Sequence, residues 1–182
     1  MKSYSEFTDR ILRSAHLLGK LTPTEPLEWD LPKKIQEATP ATLAGTPDID
    51  LPNTFSLIRG GLLYAVDDLD ASHDVFQDVK TGLGSYWHGM MHRREGDFEN
   101  ARYWYRRAGA LPFFASLHAT SAPVSPDMAR QESWDPYLFT GQCEQAVHGA
   151  DDLVTEMVKL QVLEFEVLFD YCWRQSGVHK VG

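Results

Sequence analysis

Along most of the chain, apolar residues recur at helical rather than strand spacing. Tyr4, Phe7, Ile11, Ala15 and Leu18 form one stripe and predict an amphipathic helix over residues 4–18. Ser3 with Glu6 supplies a capping box, and Gly19 a stop. The period then lapses. Six of the ten prolines, at 23, 26, 32, 40, 47 and 52, fall in the next stretch, and proline at that density bars a long helix. Residues 20–52 are therefore expected to be an extended, Pro-rich strap with one short turn at Lys33–Ala38. Trp29, Leu31, Ile49 and Leu51 would anchor it. Asn53 or Thr54 caps a helix to about Val66. Gly60 and Gly61 in its middle cost about 1–2 kcal/mol in propensity, which argues that a neighbouring backbone crosses there. Asp67-Asp68 open a further helix to about Lys80, with Leu69, His73 and Phe76 on a shared face.

The stretch Tyr86–Ala108 reads as two helices joined by a tight turn at Gly96-Asp97. Asp97 is a good N-cap, Phe98, Ala101, Tyr105 and Ala108 make a packing stripe, and Gly109 stops the second helix. A short helix over Phe113–Ala119 and a loop follow. Asp135-Pro136 starts a helix to Val147, Gly149 ends it, and Asp151-Asp152 begin a long final helix. No run alternates like a strand. The pattern predicts an all-α fold, a single-domain bundle of about six or seven helices over residues 1–182.

Two polar intrusions into apolar faces mark candidate chemistry. On the first hairpin helix, His88, His92 and Glu95 fall within about 60° of one another at 100° per residue. Adjacent pairs on that ridge can share a metal ion. His88 and Glu95 cannot, being roughly 10 Å apart along the axis. On the final helix Leu153, Met157, Leu160, Val167, Leu168 and Tyr171 share a face, and Glu164 falls inside it. A buried carboxylate must pair, hydrogen-bond or take up a proton, so Glu164 is expected to meet an arginine or histidine of the hairpin. The hairpin offers Arg93, Arg94, Arg102, Arg106 and Arg107.

These residues support two readings. In the first, His88, His92 and Glu164, with Glu95 or His73 in support, line a cavity closed by the final helix. There they act as acid and base, or His88 and His92 ligate a Zn or Fe ion, while Trp87, Tyr103, Trp104, Arg94 and Arg102 hold an anionic or aromatic small molecule. In the second, the chain is an interaction module that binds a peptide without catalysis. Whether the chain is an enzyme, and whether it carries a cofactor, the sequence leaves open. A blander alternative makes the histidines purely structural.

The second reading rests on a resemblance. Gly89, Gly96, Asp97, Phe98, Ala101, Tyr105 and Ala108 stand at the spacings of a tetratricopeptide repeat, with Pro112 one position early. A weaker copy lies 29 residues earlier, where Gly60, Asp68, Leu69, Ser72 and Phe76 align with Gly89, Asp97, Phe98, Ala101 and Tyr105. The resemblance, over residues 57–79 and 86–112, implies a helical hairpin and a protein-binding groove. His88 and His92 depart from it by replacing packing residues. The chain also resembles uncharacterised small microbial proteins sharing Tyr-Trp-His-Gly-x-x-His-Arg-Arg-Glu, a likeness that implies no activity.

Composition narrows the field further. With 182 residues, 43% of them hydrophobic, the chain can bury a full core. A net charge of −9 argues against nucleic-acid binding, which needs a basic face. Cys143 and Cys172 lack metal spacing and are expected to be reduced and buried. The first twenty residues hold no signal-peptide-like apolar run, and no 18-residue apolar span exists, so a cytoplasmic protein without membrane contact is expected. A homodimer is compatible with the sequence. No Gly-rich phosphate loop, dinucleotide fingerprint or Gly-x-Ser-x-Gly elbow occurs.

Overall fold

The computed structural model describes residues 4–14, 17–27, 30–45 and 52–176. Ser3, Ala15, Trp29, Ile49 and Leu51, to which the sequence assigned roles, lie outside the described residues. The fold is all-α. Among the described residues there are eleven helices and no strand: α1 (Glu6–Leu12), α2 (Leu31–Glu37), α3 (Pro40–Ala44), α4 (Pro52–Ala65), α5 (Leu69–Phe76), α6 (Gly82–Glu95), α7 (Phe98–Ala108), α8 (Phe114–Ser121), α9 (Pro126–Ala129), α10 (Pro136–Val147) and α11 (Asp151–Gln175).

The count exceeds the expected six or seven because proline starts short helices as readily as it bars long ones. Pro32, Pro40 and Pro126 each sit in the first turn of α2, α3 or α9, where a missing N–H costs nothing. α1 is shorter than its stripe implied. Ser5 is its N-cap, accepting from the Thr8 amide, and the chain has left the helix before Leu18, whose φ is 58°. The strap is fastened through its carbonyls. Arg59 donates to the Ala38 carbonyl (2.9 Å), Gln161 to those of Leu18 and Lys20 (both 3.0 Å), and Arg94 to that of Lys20 (3.1 Å).

The 29-residue offset seen in sequence has a structural counterpart. In α4–α5 the amides of Asp67 and Asp68 donate to the carbonyls of Tyr64 and Leu63. In α6–α7 those of Gly96 and Asp97 donate to Arg93 and His92. The first residue of each turn is left-handed (Asp67 φ 65°, Gly96 φ 84°), and the second caps the next helix by accepting from the amide three residues on. A Cβ on Gly60 would come within 2.5 Å of the Phe76 ring, and one on Gly89 within 2.7 Å of the Tyr105 ring. So both hairpins close by seating an aromatic ring on a glycine. Among the described residues the atoms nearest a Cβ at Gly60 or Gly61 belong to side chains and not to the expected crossing backbone: Phe76 and Val75 at the first, Phe169 and Trp87 at the second.

Within this frame α6 is enclosed. Every residue from Gly84 to Arg94 is buried, between α5, α7 and the aromatic core that includes Tyr64, Phe165 and Phe169. α11 packs on α10, α4 and α8, and the Tyr4 hydroxyl donates to Asp170 to tie α1 to it. No helix of the described residues is long and apolar enough to cross a membrane.

Gly89→Ala should destabilise the fold, because overpacking of about 1–3 kcal/mol against a ring that cannot move outweighs the roughly 1 kcal/mol gained in helix propensity. Gly141, inside α10, is the control. A Cβ there meets nothing within 4 Å, so Gly141→Ala should stabilise by about 0.5–1 kcal/mol. Urea unfolding of the two variants should therefore show shifts of opposite sign.

Candidate functional site

Two helices bring three histidines together. His73 comes from α5, and His88 and His92 from successive turns of α6. One ring nitrogen from each lies within 4.8 Å of the others. The His88 and His92 rings stack (centroids 4.7 Å apart, planes at 20°), and His73 meets both edge-on at 4.7 and 5.3 Å. Trp104 of α7 covers the other face of His88, its ring 3.9 Å away and 15° from parallel. The Arg107 guanidinium lies over Trp104 at 5.5 Å.

The polar atoms of these rings are treated very differently. His92 has both nitrogens engaged: Nδ1 with Glu95 Oε2 at 2.8 Å, and Nε2 with Asn100 Nδ2 at 3.1 Å. His88 is 2% exposed, and neither of its nitrogens has a hydrogen-bond partner among the described residues. Burial, then the neighbouring His92, His73 and Lys80, lowers its pKa to about 3, so the ring is neutral at physiological pH. A neutral imidazole always presents one lone pair, and a buried polar group without a partner is rare enough to require a cause. Tetrahedral zinc, with Zn–N of about 2.0–2.1 Å, would set the nitrogens about 3.3–3.4 Å apart. The donor set thus fits a borderline ion, with the rings drawn in by up to roughly 1.5 Å.

Glu164 belongs to a different centre. Its carboxylate is fully buried and is held by Arg93, Nη1 to Oε1 at 3.2 Å and Nη2 to Oε2, and by the Tyr86 hydroxyl, which donates at 2.7 Å. Trp134 Nε1 donates to Tyr86 Oη at 2.7 Å, and Arg93 donates to Tyr105 Oη at 3.0 Å while lying 4.3 Å over the Phe139 ring. Burial, then the Glu164 charge, holds the Tyr86 hydroxyl well above its usual pKa, so it stays a donor. The expected pairing of Glu164 with a hairpin arginine is present. The expected shared cavity is not. At 100° per residue Arg93 lies about 140° around α6 from His88, so the carboxylate and the histidines occupy opposite sides of that helix. The ring and hydrogen-bond partners described for His88 and His92 come from α5, α6 and α7 rather than from α11.

The five residues expected to hold a substrate separate likewise. Trp87 is in the core, stacked with Phe76 and donating to Cys172 Sγ at 3.4 Å. Arg94 is fully buried and ion-paired with Asp67, and it donates to the Tyr64 carbonyl at 2.8 Å. Arg102 bridges Glu99 and Glu144, joining α7 to α10. Trp104 alone of the five stacks on a histidine, while Tyr103 is exposed. Both cysteines are free and buried, and burial pushes each thiol up to about 12. A surface groove of about 580 Å³ lies between α1 and α11, and none of the three histidines lines it.

Asn100, Tyr86, Trp134 and Asp67 were not singled out for these roles by the sequence. Asn100 reads as an ordinary polar residue of a first turn, and Asp67 as an N-terminal carboxylate. Only the folded arrangement shows what each meets. Comparisons with protein-family models, with curated proteins and with solved structures gave no match.

Proposed function

We propose that this protein binds a divalent transition-metal ion, zinc or iron(II), through His73, His88 and His92. The observation that carries the reading is His88: a neutral ring, almost wholly buried, with neither nitrogen partnered among the described residues and a nitrogen of each of two further imidazoles within 4.8 Å. An all-nitrogen set suits these borderline ions better than calcium or magnesium, which take oxygen. Three protein ligands leave a fourth tetrahedral position for water or substrate, the arrangement of catalytic rather than structural zinc. Trp104 and Arg107 beside the cluster fit an anionic or aromatic small molecule as its occupant.

Purified protein should retain about one equivalent of metal by elemental analysis, or take up one equivalent of zinc in a calorimetric titration. His73→Ala and His88→Ala should each weaken zinc binding by more than about 100-fold, since even loss of a group supporting a ligand costs 10–100-fold. A parent protein that retains no metal and takes up no zinc sinks the reading.

A tetratricopeptide-like interaction module is the second reading, supported by the repeated turn and glycine–ring closure of α4–α5 and α6–α7. It expects a peptide ligand and no dependence of binding on the three histidines.

A further inference from the structure

The ring of His92 is held at both ends, and the chemistry of its two partners fixes where its proton sits. Glu95 Oε2, 2.8 Å from Nδ1, belongs to a carboxylate that can only accept, so Nδ1 carries the hydrogen. In the neutral ring Nε2 then holds the lone pair. That lone pair faces Asn100 at 3.1 Å, and the amide nitrogen is the end of Asn100 able to donate to it. His92 is therefore poised in the tautomer that offers Nε2 to an electrophile, with an N–H group already bonded to that same lone pair.

We infer that Glu95 and Asn100 set the metal affinity of His92 in opposite directions: Glu95 as a positioning residue that raises it, Asn100 as a competitor that lowers it. The inference rests on the metal reading above. Glu95 acts through the imidazole. Its charge on the Nδ1–H makes the ring a stronger donor and locks its orientation, the role a carboxylate plays behind a metal-bound histidine. Asn100 acts by occupation. An ion that takes Nε2 must displace the amide, and the amide's hydrogen bond is lost from the balance. Both side chains are reachable from solvent: Glu95 is about a third exposed in its side chain (32%), and Asn100 lies in the first turn of α7 with part of its surface open. Asp97 caps α7 through the Asn100 backbone amide, so changing the Asn100 side chain leaves that cap in place. Both partners of the ring lie close along the chain, since Glu95 ends α6 and Asn100 lies in the first turn of α7, across the left-handed Gly96.

The probe is zinc ion itself, titrated into the full chain against a chromophoric chelator, with cobalt(II) visible spectra to confirm nitrogen ligation. Glu95→Gln keeps an acceptor for Nδ1–H but removes the charge, and should weaken zinc binding about 10–100-fold. Asn100→Ala removes the competing donor and should tighten binding on the order of threefold to tenfold, the worth of one hydrogen bond. Asn100→Asp, which has the same shape and no N–H, should tighten it too and guards against an alanine variant that folds poorly. A purely structural role for Asn100 predicts weaker binding in both variants, never tighter. If the parent binds zinc and Glu95→Gln keeps the parent affinity, or neither Asn100 variant exceeds it, this inference falls while the metal reading stands. If the parent binds no zinc, both fall.

Discussion

Glu164→Leu is expected to destabilise the protein by about 3–5 kcal/mol, the usual cost of breaking a buried ion pair from one side. The loss falls on what remains. Arg93, 1% exposed in its side chain, would keep a charge facing leucine, and the Tyr86 hydroxyl would lose the acceptor to which it donates at 2.7 Å. Trp134 would still donate to that hydroxyl, so the disturbance reaches the start of α10 through a chain of two hydrogen bonds. Arg93→Met should cost a similar amount for the converse reason. The double variant should recover much of the loss, because the pair's mutual attraction mainly offsets its own desolvation. Urea denaturation of the two single variants and the double closes the cycle. Glu166→Gln, two residues away on the exposed face of α11, should stay within about 0.5 kcal/mol of the parent. Equal effects at 164 and 166 would contradict the phase of α11.

Arg94→Met should be as damaging, again about 3–5 kcal/mol, for a different reason. Asp67 holds a left-handed conformation (φ 65°) that costs an L-residue about 1–2 kcal/mol, and its carboxylate is buried. Burial first, opposed by Arg94, leaves its pKa raised. Arg94 makes that arrangement tenable: it pairs with Asp67, caps the Tyr64 carbonyl at the end of α4 and reaches Lys20. Arg94→Lys should rescue little, since one ammonium cannot serve three acceptors spread around a planar fork. Arg94→Met with Asp67→Gly should rescue more, because glycine removes both the stranded charge and the backbone strain. Thermal melts of the three variants should rank in that order of recovery. Full stability in Arg94→Met would show that the pair holds nothing together.

Periodicity carried the fold a long way. The stripe and caps around Asp97, the Asp135-Pro136 start and the final helix all appear where the pattern put them, because each is a local signal that tertiary packing had no reason to override. Short helices at Pro40 and Pro126 escaped notice: four or five residues are too few to display a period, and proline looks like a breaker until its position in the first turn is known. The site was legible by residue and not by grouping. Helical phase placed His88 with His92 and put Glu164 inside an apolar sector. A helix buried on every side gives no polar face from which to infer its neighbours. The histidines and the arginine that meets Glu164 thus looked like one pocket from the sequence and are two. His73 came from the same arithmetic, sharing a face with Leu69 and Phe76, but its approach to His88 depends on how α5 lies against α6.

The enclosure of α6 also has a kinetic side. On the metal reading, the ligand atoms of His88 sit under Trp104 and between two packed helices, so an ion reaches them only when α5 or α7 swings aside. Entry and release would then be timed by that opening, a local unfolding event with its own free-energy gap, rather than by the lability of a metal–nitrogen bond. A site with ordinary equilibrium affinity would hold its ion for as long as the helices stay shut, and a chelator in solution would have to wait for the protein to move.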